Sequence, residues 1–350
     1  SSGLRDDGLR NPSNHGERRP AARPGPPAAL TAAPDPSTDT PPADPAAEGA
    51  GHPTLGRVVR TVDELYPPST AEDWDAVGLV AGDPDAPVRK VLLAVDPVEE
   101  VADEALAWGA DLLVTHHPLF LRPVHSVAAT TFKGSLVHRL IRGGCALYVA
   151  HTNADAAQRG VADALADALD LLHRVPLVPH AAPSPHEAAR TGTGRVGRLA
   201  EPTTLRAFAQ RVAQVLPPTV QGVRVAGDLD ARVESVAVVG GSGDSLFDAV
   251  RASGADVYLT SDLRHHPVSE LRERARLDGG EAGTPFLVDV PHYASEWPWL
   301  RYAAEALGRG GARAGAGGET RVSTLVTDPW TARFPSAPAD PAADAGPPRD

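Results

Sequence analysis

KVLLAVDPVEEVADEALAWGADLLVTHHP, residues Lys90–Pro118, reads as a strand, a helix and a second strand in immediate succession. The run KVLLAVD has the continuous apolar character of a strand buried on both faces. Pro97 then stands where a helix can open, because its missing N–H is not needed in the first turn. That helix runs to about Trp108, and GADLLVT supplies the next strand. Strand–helix–strand alternation builds a largely parallel sheet with helices on its faces. The second strand ends at two adjacent histidines, His116 and His117, in front of Pro118. Neighbouring side chains on a strand point to opposite faces, so a pair placed there needs a reason.

The same grammar extends in both directions. TLGRVVRTVDELYPP predicts a helix over 54–65, halted by the proline pair, and WDAVGLVAG (Trp74–Gly82) a short strand or loop. A helix over 133–143 leads to the strand in CALYVAHTNAD, and a helix over 156–170 follows. The Pro/His-rich stretch Val175–Pro185 reads as a link, and TGTGRVGRLA as a bend that brings Arg195 toward a substrate. A helix over 202–215 and strands around Val220–Val225 come next. From Glu234 the order is SVAVVG, glycines, helix, GADVYLTSD, helix, PFLVDVPHYASEW, a helix from Trp297 to Leu307 and a final strand in RVSTLVTD.

Two stretches echo two others. GADLLVTHHP (Gly109–Pro118) resembles GADVYLTSDLRHHP (Gly254–Pro267), and ALYVAHTNAD (Ala146–Asp155) resembles FLVDVPHYASE (Phe286–Glu296). The expected organisation follows: a disordered Pro/Ala-rich segment over 1–54, a first α/β half over 55–174, and a connection over 175–233 with no inserted extra domain. A second α/β half over 234–330 and a disordered tail over 331–350 complete it. The fold class is α/β: two similar domains with helix-covered, largely parallel or mixed sheets. Their facing strand ends would form an inter-domain cleft, where ligands collect in such folds.

Bulk properties narrow the function classes. A formal net charge of −12 argues against a general nucleic-acid binder, which needs a basic face. Cys145 is the single cysteine, so no intramolecular disulfide can form and a reducing, cytoplasmic setting is expected. No run approaches 18 apolar residues, so no membrane span is expected.

The chemistry gathers at strand ends, where functional groups concentrate. These ends carry His116 and His117; His151 and Asp155; Asp262, His265 and His266; and His292 and Glu296. Such residues suit zinc, manganese or iron. If the strand stops at Thr115, irregular backbone can aim His116 and His117 at two neighbouring ions. A capped strand end, with one ring bonded and one exposed, fits HHP as well. His292 and Glu296, at i,i+4, share a helix face, as a plain surface pair also would. Gly240, Gly241 and Gly243 in GGSGDSLF follow a strand and precede a helix, so they suit either backbone N–H groups facing an anion or a tight turn. Trp74 and Asp75 in WDAVGL brace the cleft or pin the first strand.

In order along the chain, WDAVGL, THHPLF, AHTNAD, GGSGDSL, GADVYLTSDLRHH and PHYASE resemble the dinuclear metal-centre family whose members are called GTP cyclohydrolase 1 type 2 homologues (Nif-like). The resemblance spans about residues 55–328. It implies two divalent ions held by His116, His117, Asp155, His292 and Glu296, with Glu296 bridging. It makes Asp262, His266, His151 and His265 supporting or substrate-facing groups, and His151 and His265 are the choices for acid–base work. It also implies homo-oligomers, commonly hexamers. Ala76, Ser261 and Pro291 stand where the family more often has asparagine, glycine and glycine. The function expected is metal-dependent hydrolysis of a nucleotide-like small molecule; the alternative is a non-catalytic metal-containing regulator or scaffold.

Overall fold

The computed structural model describes residues 52–180, 190–313 and 318–334. The disorder expected over 1–54 and 331–350 falls outside these residues except at the inner edges. There Pro53 is buried and Thr54 bridges Pro87, so ordered chain begins slightly earlier than expected.

In chain order, α1 (Leu55–Leu65) precedes β1 (Gly78–Ala81), β2 (Lys90–Ala94), α2 (Glu99–Trp108), β3 (Leu112–Thr115), α3 (Phe132–Arg142) and β4 (Ala146–Val149). The short α4 (Thr152–Ala156) and α5 (Val161–Ala168) lead to β5 (Leu172–Pro179), β6 (Gly192–Thr204), α6 (Leu205–Val215) and β7 (Arg224–Ala226). Then come β8 (Arg232–Ser242), α7 (Phe247–Ser253), β9 (Val257–Ser261), α8 (His265–Gly279) and β10 (Phe286–Val290). The short α9 (His292–Glu296), α10 (Trp299–Arg313) and β11 (Glu319–Val322) follow.

Two mixed sheets result. The first has the order β1-β4-β3-β2-β11, parallel except for β1 on β4. The second has the order β5-β6-β8-β9-β10-β7, with a parallel centre of β8, β9 and β10. The stretch 175–233, read as a connection, therefore supplies most of β5, with β6 and β7, of which β5 and β7 are the edges of the second sheet. TGTGRVGRLA is strand rather than bend. RVSTLVTD, assigned to the second half, returns through β11 to pair with β2 of the first sheet.

The pleat explains the unbroken apolar runs. Along β2, Leu92 and Ala94 face α2 and α3 with Leu113 and Leu147, whereas Val91 and Leu93 face a core shared with the second sheet. Along β8, Val236 and Val238 join that shared core, and Ala237 and Val239 face the other way. Burying each of these leucines and valines is worth about 1.5–3 kcal/mol, which favours cover on both faces of a sheet.

The echoed GAD stretches do the same work twice. Gly109 and Gly254 end α2 and α7 at φ 74° and 70°, a conformation glycine adopts freely. Asp111 then accepts from the backbone N–H groups of Arg89 and Lys90, at 2.7 and 3.0 Å. Asp256 accepts likewise from Glu234 and Ser235, at 2.9 and 2.8 Å. In each sheet the aspartate locks the start of the neighbouring strand and sets the register that carries the strand ends to the site.

Candidate metal centre

The paired histidines follow from a break in the pleat. The backbone N–H of His116 donates to Ala94 O and that of His117 to Val95 O, two successive groups reaching toward the same flank of the sheet. A regular strand sends successive N–H groups in opposite directions. The chain has therefore left strand geometry at Thr115, whose hydroxyl donates to His117 O at 2.9 Å and closes the turn. Both rings fall on one side, with centroids 5.1 Å apart.

β4 and β10 deliver their residues in a matching way, through five-residue helices. On α9, His292 and Glu296 share a face, with Nε2 2.9 Å from Oε1. Pro291, at φ −57°, sits before the first turn, where its missing N–H costs nothing. On the other side His151 precedes α4, and Asp155 lies on it.

Each imidazole is held by its Nδ1. His116 donates to Ala150 O at 2.9 Å, His117 to Asp96 at 2.7 Å, His151 to Asp75 at 2.8 Å and His292 to Asp262 at 2.6 Å. Carbonyl and carboxylate oxygens only accept, so Nδ1 carries the proton and Nε2 is left as the ligand atom. The Nε2 atoms of His117 and His292 lie 3.2 Å apart. Glu296 sits among them, 3.4 Å from His116 Nε2, 3.0 Å from His117 Nε2 and 2.9 Å from His292 Nε2. Asp155 Oδ1 is 3.7 Å from His116 Nε2.

This donor set fits a divalent cation. His116 Nε2, Asp155 Oδ1 and Glu296 Oε2 are buried without a hydrogen-bond partner, a costly arrangement unless a ligand completes it. The ligand atoms of His116, His117 and His151 lie within 4.8 Å of one another, as do those of His117, His292 and Glu296. Electrostatics agree. Burial opposes charge on His117 and His292, but Glu296, with Asp96 and Asp262 respectively, overcomes it and pushes them up to about 10 and about 11. Burial and then the Glu296 charge raise Asp155 to about 7. Burial would also raise Glu296, yet His117, His292 and His116 hold it well below the usual carboxylate range. Positive charge is drawn to the point where these groups meet.

Gly241 shows why the GGSG turn is glycine-rich. Its φ is 70°, and a Cβ there would stand 2.6 Å from Glu296 Oε1 and 3.1 Å from His292 Nε2. Its N–H donates to Ser295 Oγ at 2.9 Å. That group is thus committed to the protein, and Gly241 acts as close backing for the ligands rather than as an anion cradle. Gly240 approaches Val161, and Gly243 approaches Thr260 and Tyr258.

A cleft of about 700 Å³ opens onto His117, His151, Asp155, His292 and Glu296. A family model described as Duf34/NIF3 (NGG1p interacting factor 3) matches residues 53–329. The chain belongs to the DUF34/NIF3 family. A Streptomyces coelicolor relative named GTP cyclohydrolase 1 type 2 homolog is 55% identical over 293 residues, covering 84% of this chain and 99% of that one. A Mycobacterium tuberculosis relative of the same name is 36% identical, covering 79% and 96% respectively. Among solved structures, a Bacillus cereus protein related to NIF3 superposes with a TM-score of 0.71 at 26% identity, covering 80% of this chain and 99% of that one.

Within this DUF34/NIF3 chain, the residues singled out by sequence divide cleanly. His116, His117, Asp155, His292 and Glu296 converge, and His151 joins them as a further ligand-type group. Asp262 orients His292 and also accepts from Ser242 Oγ at 2.8 Å. His265, expected at the chemistry, lines a separate groove with Arg224 and Asp289, and His266 beside it is exposed. Both begin α8, past the strand end, which carries them away from the cluster. Arg195, expected near a substrate, is buried. Its guanidinium donates to Asp163 and to the carbonyls of Gly192, Gly194, Ala157 and Arg190, which leaves nothing for a ligand.

Sequence reading missed Asp96, Thr327, Ser295 and His180. Asp96 follows the apolar run of β2 directly, so the strand-end rule applied to that strand would have found it. Thr327 donates to the other oxygen of Asp96, across 231 residues of chain, and carries no local signal. Ser295 Oγ accepts from Gly241 N and from Ser261 Oγ, the latter where the family pattern more often has glycine. His180, read as a loop residue, forms part of the cleft wall and bonds Thr193.

Proposed function

We propose that the chain binds two divalent ions, zinc, manganese or iron, and is a metal-dependent hydrolase acting on a nucleotide-like small molecule. The observation that carries this reading is Glu296, a buried carboxylate whose two oxygens lie within 3.4 Å of three imidazole Nε2 atoms. Its Oε1 faces His116 and His292 and its Oε2 faces His117, so the two oxygens could serve two ions held by these residues and Asp155. The pair of bound ions would supply Lewis acidity, lowering the pKa of a water and drawing charge from the scissile group.

The protein's own residues do the rest. Asp96, Asp262 and Ala150 O fix the ring orientations of His117, His292 and His116. His151, with Nδ1 tied to Asp75, keeps Nε2 free at the cleft wall and is assigned to proton exchange with the substrate. The cleft between α/β halves admits a small molecule, which favours turnover over a purely structural metal role. The name GTP cyclohydrolase 1 type 2 homolog carried by relatives supports a nucleotide-like substrate.

Among the described residues, no helix is long and apolar enough to cross a membrane. The reading includes a cytoplasmic homo-oligomer of hexamer size, checked by light scattering. The central test is metal content after controlled repletion, paired with a nucleotide-hydrolysis screen of wild type against Glu296→Gln. Less than one specific divalent ion per chain sinks the dinuclear reading. Full occupancy without Glu296-dependent turnover moves the assignment to regulation or scaffolding.

A further inference from the structure

Trp74 is an exposed large aromatic residue on the wall of the cleft that holds the ligand-type cluster. Its surface is 59% exposed, whereas Trp299, which packs against His116, is fully buried. Trp74 lines the mouth of the cleft that holds the ligand cluster. The loop that carries it is tightly held. The neighbouring Asp75 accepts from His151 Nδ1, Thr152 N and Thr152 Oγ1, while Glu72 N donates to Thr152 Oγ1. Asp75 N donates to Glu72 O and closes the turn. The indole lies close to the cluster: its centroid is 6.0 Å from that of His151, with the rings at 78°. His151 in turn lies 5.6 Å from His117. Leu121, 40% exposed, adds apolar surface to the same cleft.

An exposed apolar side chain on a well-held loop beside a polar ligand-type cluster suits a recognition surface. A planar ring covers an indole well, because stacking matches its π-face and needs no directional hydrogen bond. We propose that Trp74 is the specificity-determining platform of this site. The substrate carries a planar heterocycle that stacks on Trp74 while its anionic or carbonyl end reaches toward His117 and His151. This rests on the metal-site reading above and extends it by assigning the residue that selects the ring.

The test is calorimetric binding of AMP and GMP against ribose 5-phosphate, which shares the phosphate and lacks the ring, in metal-loaded and metal-stripped protein. Stacking of this kind predicts that the nucleotides bind about 5- to 150-fold more tightly than ribose 5-phosphate. Trp74→Ala should erase that ratio with metal content and ribose 5-phosphate affinity unchanged, and Trp74→Phe should keep most of it. Equal affinity for the three probes overturns the proposal, as does a nucleotide preference that survives Trp74→Ala. A change of oligomeric state in Trp74→Ala overturns it too, by giving the indole to a second copy of the chain. Failure of the metal reading is seen separately: wild type then takes up no specific ion, while the ring preference of the metal-stripped protein still reports on Trp74.

Discussion

His116–His117 and His265–His266 are the same dipeptide, each followed by proline and each following a GAD strand, yet they meet opposite fates. The first pair begins at the residue after β3, with His116 fully buried and His117 in the cleft. The second pair begins past an intervening Asp262-Leu263-Arg264 stretch, in the first turn of α8, and is exposed. The extra residues carry the rings onto a helix surface and leave Asp262, at φ 55°, as the group that turns back to hold His292. Distance from the strand end, rather than residue type, separates the clustered histidines from the exposed ones here.

The sharpest test of that contrast is its centre. Glu296→Gln removes the charge that faces three imidazoles and should lower divalent-ion affinity by at least about 100-fold, read by competition with a chelating dye. Next come the two pairs themselves. If the proposed two-ion site holds, His117→Ala should lower the metal content from two ions per chain to one by elemental analysis. His265→Ala should leave metal content unchanged and stability within about 0.5 kcal/mol in a urea titration. Loss of metal in His265→Ala would break the comparison.

Smaller effects sharpen it. Asp96→Asn and Asp262→Asn keep the ring contacts but weaken the orienting hydrogen bond, so each should cost about 10- to 100-fold in metal affinity. The smallest concerns pH. Asp75 is shifted below the usual carboxylate range: burial works to raise it, but the hydrogen bonds from His151 and Thr152 outweigh burial. A carboxyl lowered in the folded state stabilises above its ordinary value near 3.8, and that contribution is lost as pH falls through the folded value. Metal-stripped wild type should therefore lose stability more steeply between about pH 5 and 2 than Asp75→Asn does. Thermal unfolding across that range checks it.

Much of this was legible in the chain. Apolar runs bounded by GAD turns and glycine caps marked β2, β3, β4, β8, β9 and β10, because strands covered on both faces leave no polar alternation to confuse the reading. β5 and β6 were not legible, whereas β7 was approached by the strands expected around Val220–Val225. β5 and β6 are interrupted by Pro, Gly and charged residues, and their pairing depends on neighbours distant in sequence. The residues of the candidate metal cluster stood out as strand-end histidines and acids. Their orienting partners did not, since a carboxylate such as Asp96 or Asp75 is ordinary until the ring it holds is known.

By itself, then, the sequence determined the alternation of strands and helices, the repeated GAD frame and the stock of metal-binding side chains at strand ends. These follow from local periodicity and residue chemistry. Only the tertiary structure decided which histidines converge, that β11 returns to the first sheet, and that Arg195 is a structural brace rather than a substrate contact. Those outcomes depend on which buried donors and acceptors find partners, and such pairing is made between segments far apart in the chain.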